Sequence, residues 1–324
     1  MSEAQEKTVE QINKRETVLA GSNLEKILKS GQFAVTCECG PPKGANVEHL
    51  MKKIDLIRGN CDAANVTDNQ TAVVRMSSIG AAAILVKEGV EPVMQMVTRD
   101  RNRIAAQSDM FGAYALGIRN MLCLTGDHQK FGNHPTAKNV FDLDSIQLLN
   151  VMRGCCFEGK MAGGEEVDGV PHMFLGAAEN PFGDPFEFRV PRLAKKVTAG
   201  AEFIQTQCIY DMDRFKRFMA QAVERGLDKK VFVLAGITPL KSAGMANYMN
   251  KFVAGISIPD EIIQRMKGAE KGKQAEEGIK ICLEQIEEVR KIPGVAGLHL
   301  MAIEWEDRVH EILERAKLLP RPKA

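Results

Sequence analysis

What the sequence lacks narrows it first. Its eight cysteines include no pair at the CxxC spacing of a zinc ribbon or a local iron–sulfur motif. Its six histidines show neither HxH nor HExxH, so no metal site is expected. No GxGxxG follows any strand-like segment. No apolar run reaches transmembrane length, and residues 1–15 have no apolar core of a signal peptide. A net charge of +1 leaves no electrostatic footprint for nucleic acid or an anionic membrane. Most cysteines sit inside apolar runs, where they act as small hydrophobes, so a reduced cytoplasmic protein is expected.

What is present is an alternating pattern. Apolar runs with strand character end in polar residues at Phe33–Glu38, Asp62–Thr67, Pro92–Val97, Arg119–Leu124, Met173–Ala178, Ala201–Gln207, Val231–Ala235 and Val295–Met301. Helical spacing separates nearly all of them, for example Val47, Leu50, Met51, Ile54 and Ile57. Strict alternation implies a parallel sheet with right-handed crossovers, and eight units match a closed (β/α)8 barrel. The fold class is therefore α/β, a single TIM barrel over residues 23–324. Residues 1–22 read as a polar extension, and residues 1–30 as a charged stretch holding a lead-in helix. A doubly wound open sheet is the alternative, and the missing GxGxxG speaks against it. Residues 154–169 read as an exposed loop, and 304–318 as a closing helix.

Barrel enzymes carry their chemistry at the C-terminal ends of the strands. Those ends here are Glu38, Thr67-Asp68, Gln95 with Arg99-Asp100, Thr125-Gly126-Asp127, Glu179-Asn180, Gln205 with Gln207, and Thr238. Cys39-Gly40-Pro41-Pro42 stops the first strand, which leaves Glu38 as its last residue. Gly126 permits a sharp turn and a close ligand approach, with Asp127 at the rim. Residues 128–142 form a loop of a length that is usually functional. Strand periodicity puts Gln205 and Gln207 on one face, where at least one amide should read a ligand's polar edge. His299 lies within the eighth strand and reads as a satisfied barrel histidine. Gly154–Lys160 matches seven positions of a phosphate-binding P-loop, but Met161 stands where Ser or Thr holds magnesium. Lys196, on composition alone, reads as a solvated helix lysine.

Six segments together resemble one family. They are Cys37–Pro42, Thr98–Asn102, Leu124–Asp127, Val140–Ser145, Ala199–Gln207 and Gly297–Ala302. Their order and content are similar to the methylenetetrahydrofolate reductases, over about residues 24–320. The resemblance implies a barrel that binds a flavin, FAD or else FMN, at its mouth. It implies reduction of 5,10-methylenetetrahydrofolate to 5-methyltetrahydrofolate, in methionine biosynthesis or acetogenesis. By resemblance Glu38 is the general acid for folate N10. Asp127 lies between flavin and folate, and Gln207 reads the pterin. Thr67, Asp68, Gln95, Thr125, Gly126, Phe141, Asp142, Ala177, Asn180 and Lys196 fall at or near flavin-contacting positions, with Lys196 facing the phosphates. Gln95 stands where NADH-using members commonly have histidine, and Thr125 where arginine is common. Met249 stands near the position of a nicotinamide-stacking aromatic, and Trp305 replaces a basic residue. Electrons are accordingly expected from NAD(P)H or from an iron–sulfur partner subunit, as in some acetogen relatives, within an oligomer or heterocomplex. A folate-binding methyltransferase barrel and an accessory, non-catalytic barrel are the competing functions.

Overall fold

The computed structural model describes residues 17–253, 255–270 and 272–323. Its centre is a closed barrel of eight parallel strands in chain order. They are β1 (Ala34–Glu38), β2 (Ala63–Val66), β3 (Pro92–Val97), β4 (Asn120–Leu124), β5 (Phe174–Glu179), β6 (Phe203–Cys208), β7 (Phe232–Ile237) and β8 (Val295–Leu300). β8 closes on β1 with Cys37 opposite Leu300. Each run of the sequence pattern became a strand, with ends displaced by at most about two residues.

The first helix, α1 (Asn23–Lys29), plugs the N-terminal end of the barrel. Ser22 caps it by accepting the Glu25 N–H at 3.0 Å. Leu24, Ile27 and Leu28 bury against Ala34, Ala63, Val93, Phe174, Phe203 and Phe232, which lie at or next to the starts of their strands. Glu91 accepts the Asn23 and Leu24 N–H groups at 2.6 and 2.9 Å, a carboxylate on a helix N-terminus. Residues 1–16 of the expected lead-in lie outside the described residues.

The outer layer is α2 (Val47–Ile57), α3 (Ser78–Lys87), α4 (Arg103–Ala115), α5 (Ser145–Arg153), α6 (Arg189–Ala199), α7 (Met212–Glu224), α8 (Ala243–Phe252), α9 (Asp260–Gly268), α10 (Gln274–Val289) and α11 (Val309–Arg315). The main core lies between this ring and the outward-facing strand residues, such as Val35, Cys37, Cys123 and Leu298. Inside the barrel, Gly176 leaves the space that the Phe203 ring fills, since a Cβ there would come within 2.3 Å of it.

Two expectations are corrected. Gly154–Glu158 is a π-helical turn continuing α5, not exposed loop, because Cys155 and Cys156 are buried against the core. The closing helix begins at Val309 and ends at Arg315, because Glu304 takes a left-handed conformation and residues 306–308 form a 3-10 turn. No described helix is long and apolar enough to cross a membrane.

Candidate active site

The strand ends surround a cavity of about 480 Å³, within the size range of small-molecule sites. Its floor is a polar layer inside the barrel. Asn65 and Gln205 exchange amide hydrogen bonds at 2.5 and 2.9 Å, and Gln205 also donates to Thr36 Oγ1 at 3.1 Å. Thr36 Oγ1 lies 2.9 Å from His299 Nδ1. Burial lowers the His299 pKa to about 4, so the ring is neutral near pH 7. His299 is the satisfied barrel histidine expected, although it also lines the cavity. Gln205 is held by this network; Gln207 also lines the cavity, with its Oε1 accepting the Cys208 N–H at 3.1 Å.

Glu38 ends β1 on the wall of the cavity and is 8% exposed. Burial pushes its carboxyl up to about 7, and the nearby Glu306 carboxylate adds to the rise. Lys53, Arg75 and a hydrogen bond from Gln70 pull the other way. Near neutral pH, Glu38 therefore exists in both protonation states.

The predicted site residues divide into two groups. Glu38, Gln95, Thr125, Asn180, Lys196 and Gln207 line the cavity. Thr67, Asp68, Gly126, Asp127, Phe141, Asp142 and Ala177 do not. Asp68 is buried, paired with Arg101 at 2.6 Å and accepting the Val97 N–H at 3.0 Å. Asp142 forms a two-point pair with Arg103 at 2.8 and 2.9 Å, which holds its pKa down to about 2. Ala177 points outward into the core between strands and helices. Phe141 is partly exposed with φ +42°, and its ring centre lies 6.4 Å from that of His128. Gly126 has φ +87°, and a Cβ there would press on Val97 at 2.9 Å, so this turn requires glycine. The turn carries Asp127 to the exposed rim, where Oδ2 accepts the Thr71 N–H at 3.1 Å. Met249 is buried in an apolar cluster with Tyr210 and Leu240 and does not reach the cavity.

Lys196 is not the solvated lysine that composition suggested. It is 4% exposed and pairs with Glu179 at 2.7 Å. Two cations absent from the sequence reading, Arg189 and Arg192, line the same cavity. Arg189, Arg192 and Lys196 are spaced three and four apart on α6, so one helix face points all three at the mouth. That spacing was the available signal.

The donor set suits a flavin. Cavity-lining amides match the polar edge of a fused ring, and Arg189 and Arg192 match phosphate. Arg189 Nε, on the cavity wall, is buried with no partner in the protein, a donor available to a ligand. No cluster of metal-ligating side chains occurs among the described residues. A larger groove of about 740 Å³ lies outside, between α7 and α10, lined by Val223, Ile292 and Pro293 with Lys216 and Lys291 at its edge. It carries none of the strand-end groups, so the chemistry belongs to the smaller cavity.

Comparisons agree with this geometry. A sequence-family model described as methylenetetrahydrofolate reductase matches residues 23–317. A probable methylenetetrahydrofolate reductase (NADPH) of Caenorhabditis elegans is 23% identical over 311 residues, 91% of this chain and 44% of that protein. Methylenetetrahydrofolate reductase (NADH) 1 of Zea mays is 26% identical over 321 residues, 93% of this chain and 51% of that protein. The chain thus spans about half the length of these curated relatives. Among solved structures, an uncharacterized protein from Clostridium thermocellum shares the fold with a TM-score of 0.64 at 15% identity, covering 92% of this chain and 100% of that one. That protein is described as binding two copies of 5-methyl-5,6,7,8-tetrahydrofolic acid.

Proposed function

The chain belongs to the methylenetetrahydrofolate reductase family, and we propose that it reduces 5,10-methylenetetrahydrofolate to 5-methyltetrahydrofolate at the barrel mouth. The observation that carries this reading is Glu38, a buried carboxyl with a pKa near 7 on the wall of a cavity that also presents the amides of Gln95, Asn180 and Gln207 and the cations Arg189 and Arg192. A flavin held there, FAD or FMN, would supply the hydride.

The chain's own residues do the rest. Glu38 gives its proton to folate N10, and the bond from N10 to the one-carbon unit breaks, leaving an iminium at N5. Hydride addition to that carbon then completes the methyl group. Gln207 offers its amide to the pterin, and Asp127 meets the pterin's donor edge from the rim, exchanging the Thr71 N–H for it. Arg189 and Arg192 neutralise the cofactor's phosphate charge. The neutral floor of Thr36, Asn65, Gln205 and His299 closes the cavity below and adds no charge to it. Electrons enter from NAD(P)H or from a partner subunit carrying iron–sulfur clusters.

An anaerobic titration tests this. Flavin bleached by NADH or NADPH and reoxidised by methylenetetrahydrofolate is the result for a self-sufficient reductase. Bleaching by dithionite alone, followed by reoxidation with folate, assigns electron delivery to a partner. Protein that stays colourless after reconstitution overturns the reading in favour of a methyltransferase using a folate without redox chemistry.

A further inference from the structure

Lys53 is 6% exposed, and its ammonium meets Glu304 Oε1 at 2.8 Å and Glu306 Oε1 at 3.0 Å. Glu306 is 7% exposed. Burying such a group costs several kcal/mol of desolvation per ion, and apolar residues could fill the space at least as well. The cluster adjoins Glu38. β1 and β8 are hydrogen-bonded neighbours, α2 follows β1, and the 306–308 turn follows β8 and packs on α2. A lone buried lysine beside Glu38 would claim it as its counter-ion and hold it ionised, unable to give a proton. Two other carboxylates occupy that lysine instead.

We propose that Lys53 and Glu306 are positioning residues for Glu38: by pairing with each other behind it, they leave Glu38 free to hold and release its proton. The proposal rests on the reading of Glu38 as the proton donor. The charges that face Glu38 agree with it. Glu306, from the turn after β8, favours the protonated form. Lys53, from α2, and Arg75, from the loop after β2, favour the ionised form. The thiols of Cys39 and Cys208 adjoin the same space, and burial pushes them up to about 12 and about 11, so both remain neutral.

The test reads the Glu38 carboxyl directly. Infrared spectra of ¹³C-glutamate-labelled protein are titrated with pH, with Glu38→Gln subtracted to isolate the band. Glu306→Gln should lower the Glu38 midpoint by about one pH unit or more, and Lys53→Met should raise it. Lys53→Arg should restore the parent midpoint. Midpoints that stay put, or move the same way in both variants, overturn the proposal, since mere loosening of the pocket shifts both alike. If Lys53→Met does not fold, Glu306→Gln decides alone. The readout needs no turnover. An active Glu38→Gln enzyme would remove the general-acid reading without touching the titration, and an unmoved titration would remove this proposal without touching that reading.

Discussion

Lys196 Nζ stands 2.7 Å from Glu179 Oε2, and both side chains are closed to solvent. The pair ties α6 back to the end of β5, with the lysine also donating to the Ala178 carbonyl. Removing one member strands the other charge in a buried place. Lys196→Met should therefore cost about 3–5 kcal/mol in denaturant unfolding. Lys196→Met combined with Glu179→Gln should recover most of that loss. A single variant as stable as the parent would contradict the pairing.

Because Glu179 already balances Lys196, the proposed function assigns cofactor phosphate to Arg189 and Arg192. Each makes a charge-assisted contact when phosphate is bound, worth about tenfold or more in affinity. Fluorescence titration of the flavin-free protein should show flavin binding weakened by that factor in Arg189→Ala and in Arg192→Ala. Unchanged affinity in the double variant would remove phosphate from this face of α6.

The barrel itself was legible because eight apolar runs alternate with helical spacing, and a both-sides-buried strand writes its signature locally. The placement of Glu38 and Gln207 on the cavity wall was legible because proline and periodicity fix where strands end and which way they face. The partners were not. Glu179 and Lys196 are 17 residues apart and meet because α6 folds back on the end of β5. Cys155 and Cys156 sit in a glycine-rich, acidic stretch that reads as loop, and only the core behind them makes it a π-helical turn. The Lys53–Glu306 contact spans nearly the whole chain and exists only because β8 closes on β1.

At the opposite end of the barrel, Glu202 is buried and accepts the Leu175 N–H at 3.2 Å. Burial pushes its pKa from 4.5 to about 8. The folded state therefore keeps a proton that the unfolded state loses, and the stability this gives falls as pH rises from about 4.5 to about 8. Glu202→Gln keeps the acceptor oxygen and removes the ionisation. Relative to the parent, the variant should gain stability across that window, on the order of a few kcal/mol by pH 8. Parallel Tm-against-pH curves would show that Glu202 ionises without hindrance.

Glu38 titrates in the same range, and under the proposed function this has a catalytic consequence. Only its protonated form can donate to folate N10, and its pKa is about 7. In single-turnover experiments, reoxidation of reduced flavin by methylenetetrahydrofolate should slow tenfold per pH unit well above that value. Flavin reduction, which needs no proton from Glu38, should lack this limb. Glu38→Gln should lower the folate step by about 10²–10⁴-fold and abolish its pH dependence through 7, while flavin affinity stays the same. A folate step that keeps its rate in the variant would assign the proton to another group. A variant that loses flavin as well as rate would make Glu38 a binding residue, because an acid acting only on the folate has no part in holding the cofactor.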